Sequence, residues 1–177
     1  MADLARAGAT QPAERVRSGP PPTAALHIVL VEPQIPPNTG NVARLCAATG
    51  CTLHLVEPLG FSIADRDLKR AGLDYWDALD VVVHSSLDAF LADWRGPMWY
   101  ASTRGTVRHD AAAYEAGDAL VFGKETAGLP AALLAAHPER TVRIPMRPQA
   151  VRSINLSVAV GVVTFAALAR IGYPGLR

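Results

Sequence analysis

PQIPPNTGNVARLCAATG, residues 33–50, joins two kinds of chain. Its first half, with Pro33, Pro36, Pro37, Asn38, Thr39 and Gly40, is made of residues that interrupt regular structure. Its second half sets Val42, Leu45, Cys46 and Thr49 on one helical face and closes at Gly50, the residue type that ends helices in the left-handed conformation. Asn38 or Thr39 suits the helix N-cap. Free backbone N–H groups at such a start favour an anion, and Arg44 lies one turn further in, within reach of a phosphate or ribose held there. The prolines stiffen the loop, so its geometry is kept at small entropic cost.

The alternation of apolar run and helix continues along the chain. HIVLVE (27–32) and TLHLVE (52–57) read as strands on either side of this helix. DRDLKRAG (65–72) reads as a polar helix, DVVVH (80–84) as a strand, and SLDAFLADW (86–94) as a helix capped by Ser85 or Ser86. MWYAS (98–102) and DALVFG (118–123) are strand-like, LPAALLAAH (129–137) is helical, TVRIPM (141–146) is a strand, and SINLSVAVGVVTFAALARIG (153–172) is a long closing helix. Strands alternating with helices predict an α/β domain with a mostly parallel sheet flanked by helices. Ligands of such sheets sit beyond the carboxyl ends of the strands, which selects the loops after residues 32, 102, 123 and 146.

At 177 residues and half apolar, the chain suits one domain with a substantial core. A net charge of +1 excludes a polycationic nucleic-acid binder. The cationic residues are 15 Arg and two Lys, Lys69 and Lys124, a bias toward the better bidentate partner of phosphate that a GC-rich genome also produces. Cys46 and Cys51 lack the close pairing of a zinc site, and the five histidines (27, 54, 84, 109 and 137) are scattered, so no metal is expected. The thiols read as reduced and buried in a cytoplasmic protein. Residues 1–25, rich in Ala, Arg, Gly and Pro and without the apolar core of a signal peptide, read as a disordered tail before a domain over 26–177.

The closing helix is apolar on almost every side from Leu156 to Leu168, yet too short to span a membrane. A helix apolar all round needs burial all round. A terminal helix on a small sheet covers one side only, which predicts a homodimer through this helix; a fully buried helix of a monomer is the alternative.

Four loops carry polar chemistry. Besides the opening one they are ASTRGT (101–106), FGKETAGLP (122–130), in which Gly123 permits close backbone approach by a ligand, and IPMRPQAVRSIN (144–155), in which Ser153 suits a helix cap flanked by Arg147 and Arg152. No G-x-G-x-x-G follows the first strand, no G-x-x-x-x-G-K-[ST] is present, and no Ser/His/Asp arrangement announces a hydrolase. The residues by themselves describe strand-end loops that bind a small molecule and something anionic.

PQIPPNTGNVARLCAATG, LVFGKETAGLP and RIPMRPQAVRSINLSVAV, in this order, resemble the three motifs of the SPOUT superfamily of RNA methyltransferases. With EPLGF and RAGLDYW between them, the chain is most similar to the small TrmL (YibK-like) family over residues 26–175. That resemblance implies a C-terminal trefoil knot, the SPOUT α/β-knot, which ordinary topology rules exclude. It implies S-adenosyl-L-methionine bound in a bent shape by Ala101, Gly123, Ile144 and Ser153, without a metal. Where Ala101 stands, similar proteins usually carry a larger residue. It implies catalysis by Arg44, Asn41 and Glu125, with Arg44 and Arg152 on the substrate. The expected substrate is the ribose 2′-OH of nucleotide 34, cytidine or a modified uridine, in the anticodon stem-loop of leucine tRNAs. Another tRNA or rRNA position, or a non-catalytic knotted RNA-binding protein, is the alternative. The family acts as a homodimer through its last helix, in the cytoplasm and without a membrane; similar proteins often carry Tyr-Glu where this chain has Phe165-Ala166.

Overall fold

The protein is described by a computed structural model over residues 14–15, 24–62, 79–147, 149 and 151–177. The polar helix expected over 65–72, and the RAGLDYW segment, lie outside the described residues. So does most of the expected tail, within which Glu14–Arg15 is nonetheless a two-residue strand, β1.

Apolar runs buried on both sides build the sheet. β2 (His27–Val31), β3 (Thr52–Val56), β4 (Val81–His84), β5 (Met98–Ala101), β7 (Ala119–Phe122) and β8 (Thr141–Arg143) follow the expected strands. β6 (Val107–Arg108) was not expected; at two residues it is too short to leave a pattern. The strand order is β1-β4-β3-β2-β7-β5-β8-β6. Every pairing is parallel except the edge pair β1–β4. Successive residues of β2 serve opposite cores. Ile28 and Leu30 join one apolar cluster, Val29 and Val31 the other. A parallel strand covered on both faces therefore reads as a continuous apolar run.

The first face is covered by α1 (Pro36–Thr49) and α4 (Leu156–Arg170), which contribute Val42, Cys46, Val160, Val163, Ala167 and Leu168 to its core. The other is covered by α2 (Leu87–Asp93) and α3 (Ala131–Ala136), through Phe90, Leu87, Leu133 and Leu134. The Ser86 hydroxyl caps α2 by accepting from the Ala89 N–H at 3.1 Å.

Two expected caps are corrected. α1 starts at Pro36, two residues before Asn38, with Ile35 at the N-cap and no side-chain cap. The prolines stand inside the first turn, where a missing N–H costs nothing and a fixed φ is already helical. Asn155, not Ser153, caps α4; its Oδ1 accepts from the Ser157 and Val158 N–H groups. Gly50 does close α1, at φ +69°. β8 is shorter than expected, ending before Pro145, which has no N–H for a ladder.

α4 is buried on one side only. Val160, Val163, Thr164, Ala167 and Leu168 are buried, while Val158, Val162 and Phe165 are exposed. Among the described residues no helix is long and apolar enough to cross a membrane.

Candidate active site

From β2 the chain builds outward through β3 and β4, then crosses to the other side of β2 for β5, β7 and β8. The direction of winding reverses where β2 and β7 lie side by side, and the strand ends splay apart at such a point to leave a crevice. A cavity of about 870 Å³ opens there, lined by the segments following β2, β5, β7 and β8 and by the start of α4.

The loop after β7 turns back on itself at Gly123. A Cβ on Gly123 would lie 2.1 Å from the carbonyl carbon of Gly128 and 2.2 Å from the Leu129 nitrogen. Gly105 is equally tight, where a Cβ would lie 2.4 Å from the Val142 carbonyl carbon. The absence of a side chain at 123 thus makes room for the protein's own backbone, at a residue that also lines the cavity.

Glu125, carried by that loop, reaches across to the segment after β2. Its carboxylate accepts from the Gln34 N–H at 2.9 Å, the Ile35 N–H at 3.2 Å and the Asn38 amide at 2.9 Å. A carboxylate at this helix start meets unpaired backbone donors and the positive end of the helix dipole together. The Asn38 oxygen then accepts from the Asn155 amide at 2.9 Å, and the Asn155 oxygen caps α4. One chain of hydrogen bonds therefore joins the loop after β7 to the starts of α1 and α4. Two further contacts close the same seam: Lys124 Nζ to Glu32 Oε2 at 2.6 Å, and Thr126 Oγ1 to Gln34 Oε1 at 2.7 Å.

Ala101, Gly123, Ile144 and Ser153 all line this one cavity, as do Glu125 and Arg152. Asn41 and Arg44 do not; both are exposed on α1. The asparagines in the site are Asn38, 4% exposed, and Asn155, which sequence reasoning had passed over. Asn38 was read only as a possible cap. For Asn155 the signal was present, since asparagine heads the N-cap preferences and Ser157 follows two residues on.

Chemically, the cavity combines apolar walls, including Val142, Ile144, Leu156 and Val163, with Ser102, Thr103 and Ser153 hydroxyls and cationic Arg104 and Arg152. Its carboxylates, Glu32 and Glu125, are both engaged by protein donors. A mostly apolar slot with a few polar groups, in this volume range, fits a nucleoside-sized cofactor. Among the described residues no group of three His, Cys, Asp or Glu side chains is placed to hold a metal.

Two substitutions probe this construction. Gly123→Ala is expected to destabilise the fold by about 1–3 kcal/mol or more in urea unfolding, because backbone must move to admit the methyl group. Glu125→Ala is expected to cost about 1–3 kcal/mol, chiefly through the buried Asn38 amide left without its acceptor, and to speed amide exchange at Gln34 and Ile35. Unchanged exchange at those two amides contradicts the clasp.

Residues 25–165 match the SpoU rRNA Methylase family. A Yersinia pestis protein named tRNA (cytidine(34)-2′-O)-methyltransferase is 51% identical over 157 residues, covering 85% of this chain and 96% of its own. An Escherichia coli K12 protein of the same name is 52% identical over 152 residues, with the same coverage. A solved structure described as giving structural insights into the 2-OH methylation of C/U34 on tRNA superposes with a TM-score of 0.77 at 49% identity, over 82% of this chain and 95% of that one. The matched span runs from just before β2 to within α4 and contains the cavity and the seam that shapes it. The chain belongs to the SpoU rRNA Methylase family.

Proposed function

We propose that this protein transfers a methyl group from S-adenosyl-L-methionine to the ribose 2′-OH of nucleotide 34, cytidine or a modified uridine, in leucine tRNAs. The observation that carries the reading is 51–52% identity, over 96% of their length, to relatives named for 2′-O-methylation of cytidine 34 in tRNA. The cavity suits the cofactor in size and lining, with Ala101, Gly123, Ile144 and Ser153 as its contacts. When bound, S-adenosyl-L-methionine supplies an electrophilic methyl group on a sulfonium. Leucine as the tRNA identity, and the cytoplasm as the place of action, follow from the TrmL resemblance.

The protein's own contribution is then orientation and charge. Arg44, on the exposed face of α1, positions the ribose and its neighbouring phosphate and stabilises negative charge developing on the 2′ oxygen. A guanidinium has no lone pair to accept the 2′-OH proton, so a substrate phosphate or water takes it. Asn41 lies on the same exposed face and supports the same contact. Arg152, at the cavity wall, holds the RNA. Glu125 serves through position, because its carboxylate is occupied by Gln34, Ile35 and Asn38.

The working unit of this reading is a homodimer. Val158, Val162 and Phe165 leave an apolar strip on α4 open to water, which a second copy would cover. α1 packs beside α4, so the exposed face carrying Arg44 borders that interface. The same reading includes the trefoil knot, with the segment from Ile144 into α4 threaded through a loop; the bond from Asn155 to Asn38, 117 residues away in sequence, suits such a path.

Transfer of a tritiated methyl group to leucine tRNA, followed by mapping of the modified nucleotide, is expected to place the label on the ribose of position 34. Label on rRNA or on another tRNA position overturns the assigned substrate, an outcome that the family's description gives reason to examine. No label on any RNA, with the cofactor bound, favours a non-catalytic RNA-binding protein. Arg44→Ala is expected to reduce transfer about 100-fold or more while cofactor affinity changes little. Phe165→Glu is expected to convert the dimer to a monomer in light scattering; a wild-type monomer at every concentration sinks the dimer reading.

A further inference from the structure

Three histidines stand in a row on the α2 side of the sheet, one each from β2, β3 and β4. His27 Nδ1 is 3.0 Å from His54 Nε2, and His54 Nδ1 is 2.9 Å from His84 Nε2. His54 and His84 are 6% and 4% exposed. Phe90 and Trp94 pack against the three rings at centroid distances of 4.8–6.0 Å. None of the three lines the cavity. At the β4 end, His84 Nδ1 is buried without a hydrogen-bond partner.

That last atom decides where the protons sit. Three neutral imidazoles carry three ring protons on six nitrogens. With both bonds formed, only two arrangements exist. In one, His84 Nε2–H donates to His54 Nδ1 and His54 Nε2–H donates to His27 Nδ1, which leaves a lone pair at His84 Nδ1. In the other, every bond runs the opposite way and His84 Nδ1 carries an N–H with no acceptor. A buried N–H without an acceptor is rare and costly, so the first arrangement is favoured. A fourth proton, with both bonds kept, must also place an N–H on His84 Nδ1. It would then do so on a charged chain enclosed by aromatic rings.

We propose that the His27–His54–His84 chain is an acid-sensitive latch, which fastens β2, β3 and β4 under α2 while its rings are neutral and loosens them when they take up protons. At His84 the neighbouring charge does not remove the penalty. Burial pushes the His84 imidazole below its ordinary value, and the Asp93 carboxylate on α2 opposes this to a smaller extent. Asp88, also on α2, is exposed. Asp80, on the strand side of the chain, is bonded by the Thr52 hydroxyl at 3.2 Å. On the far side of β4, Glu14 and Arg15 pair with Val83 and Val82. A folded state that binds this proton less readily than the unfolded chain is at full strength above about pH 6.5 and weakens as pH falls through 6.5 toward the lower folded value.

Long-range proton–nitrogen spectra of the histidine rings test the arrangement directly. At pH 7.5 His54 and His84 are expected to carry their proton on Nε2, with His84 Nδ1 bare and its titration midpoint below 6.5. Urea unfolding at pH 7.5 and 5.5 tests the consequence. Each ring kept neutral raises the unfolding constant about tenfold over that interval. His84→Gln replaces the Nε2 donor with an amide that does not titrate, and is expected to remove about tenfold of the rise. A proton on His84 Nδ1, an imidazolium there at pH 7.5, or equal pH dependence in wild type and His84→Gln overturns the proposal. If the variant does not fold, the ring-nitrogen spectrum of the wild-type protein decides.

Discussion

The carboxylate of Glu125 is the point on which the site depends. It satisfies two backbone N–H groups before α1 and the buried amide of Asn38, whose other end receives Asn155. Without an acceptor in that place, two backbone N–H groups at the entry to α1 and the buried Asn38 amide would lose their partner, leaving Thr126 and Lys124 to hold the seam. The interaction commits both carboxylate oxygens of Glu125 to protein donors.

This clasp is possible because of the sheet beneath it. β2 and β7 are adjacent and parallel, so their carboxyl ends emerge side by side and their loops meet. The backbone return at Gly123 and Gly128 keeps the β7 loop low enough to meet the β2 segment, and any side chain at 123 would lift it. Packing and site geometry are thus one constraint. The two apolar clusters hold the strands in register, and the register brings Glu125 within reach of Gln34, Ile35 and Asn38.

Much of the architecture was legible because it is written in local periodicity. Continuous apolar runs marked the parallel strands, and Gly50 marked the end of α1 at φ +69°. The cavity-lining roles of Ala101, Gly123, Ile144 and Ser153 came from likeness to known motifs, and those four residues do meet at one cavity. What escaped was short or side-chain-specific. β6 has two residues and no pattern to find. Asn38 and Asn155 looked like ordinary helix-start residues because nothing in a linear chain pairs two amides 117 residues apart. The histidines at 27, 54 and 84 looked scattered, and only the ordering of β2, β3 and β4 sets each ring within 3.0 Å of the next.

The sequence alone determined the class of fold, the order of the six longer strands and of the described helices, the stiff entry to α1 and the apolar character of α4, because propensity and hydrophobic period act over a few neighbouring residues. The tertiary structure decided which polar groups are partners, which glycine makes room for backbone, and which side of α4 is left in water. Those outcomes depend on distances between segments remote in sequence. Hydrogen bonds and close packing are set by tenths of an ångström, a precision that exists only once the sheet has assembled.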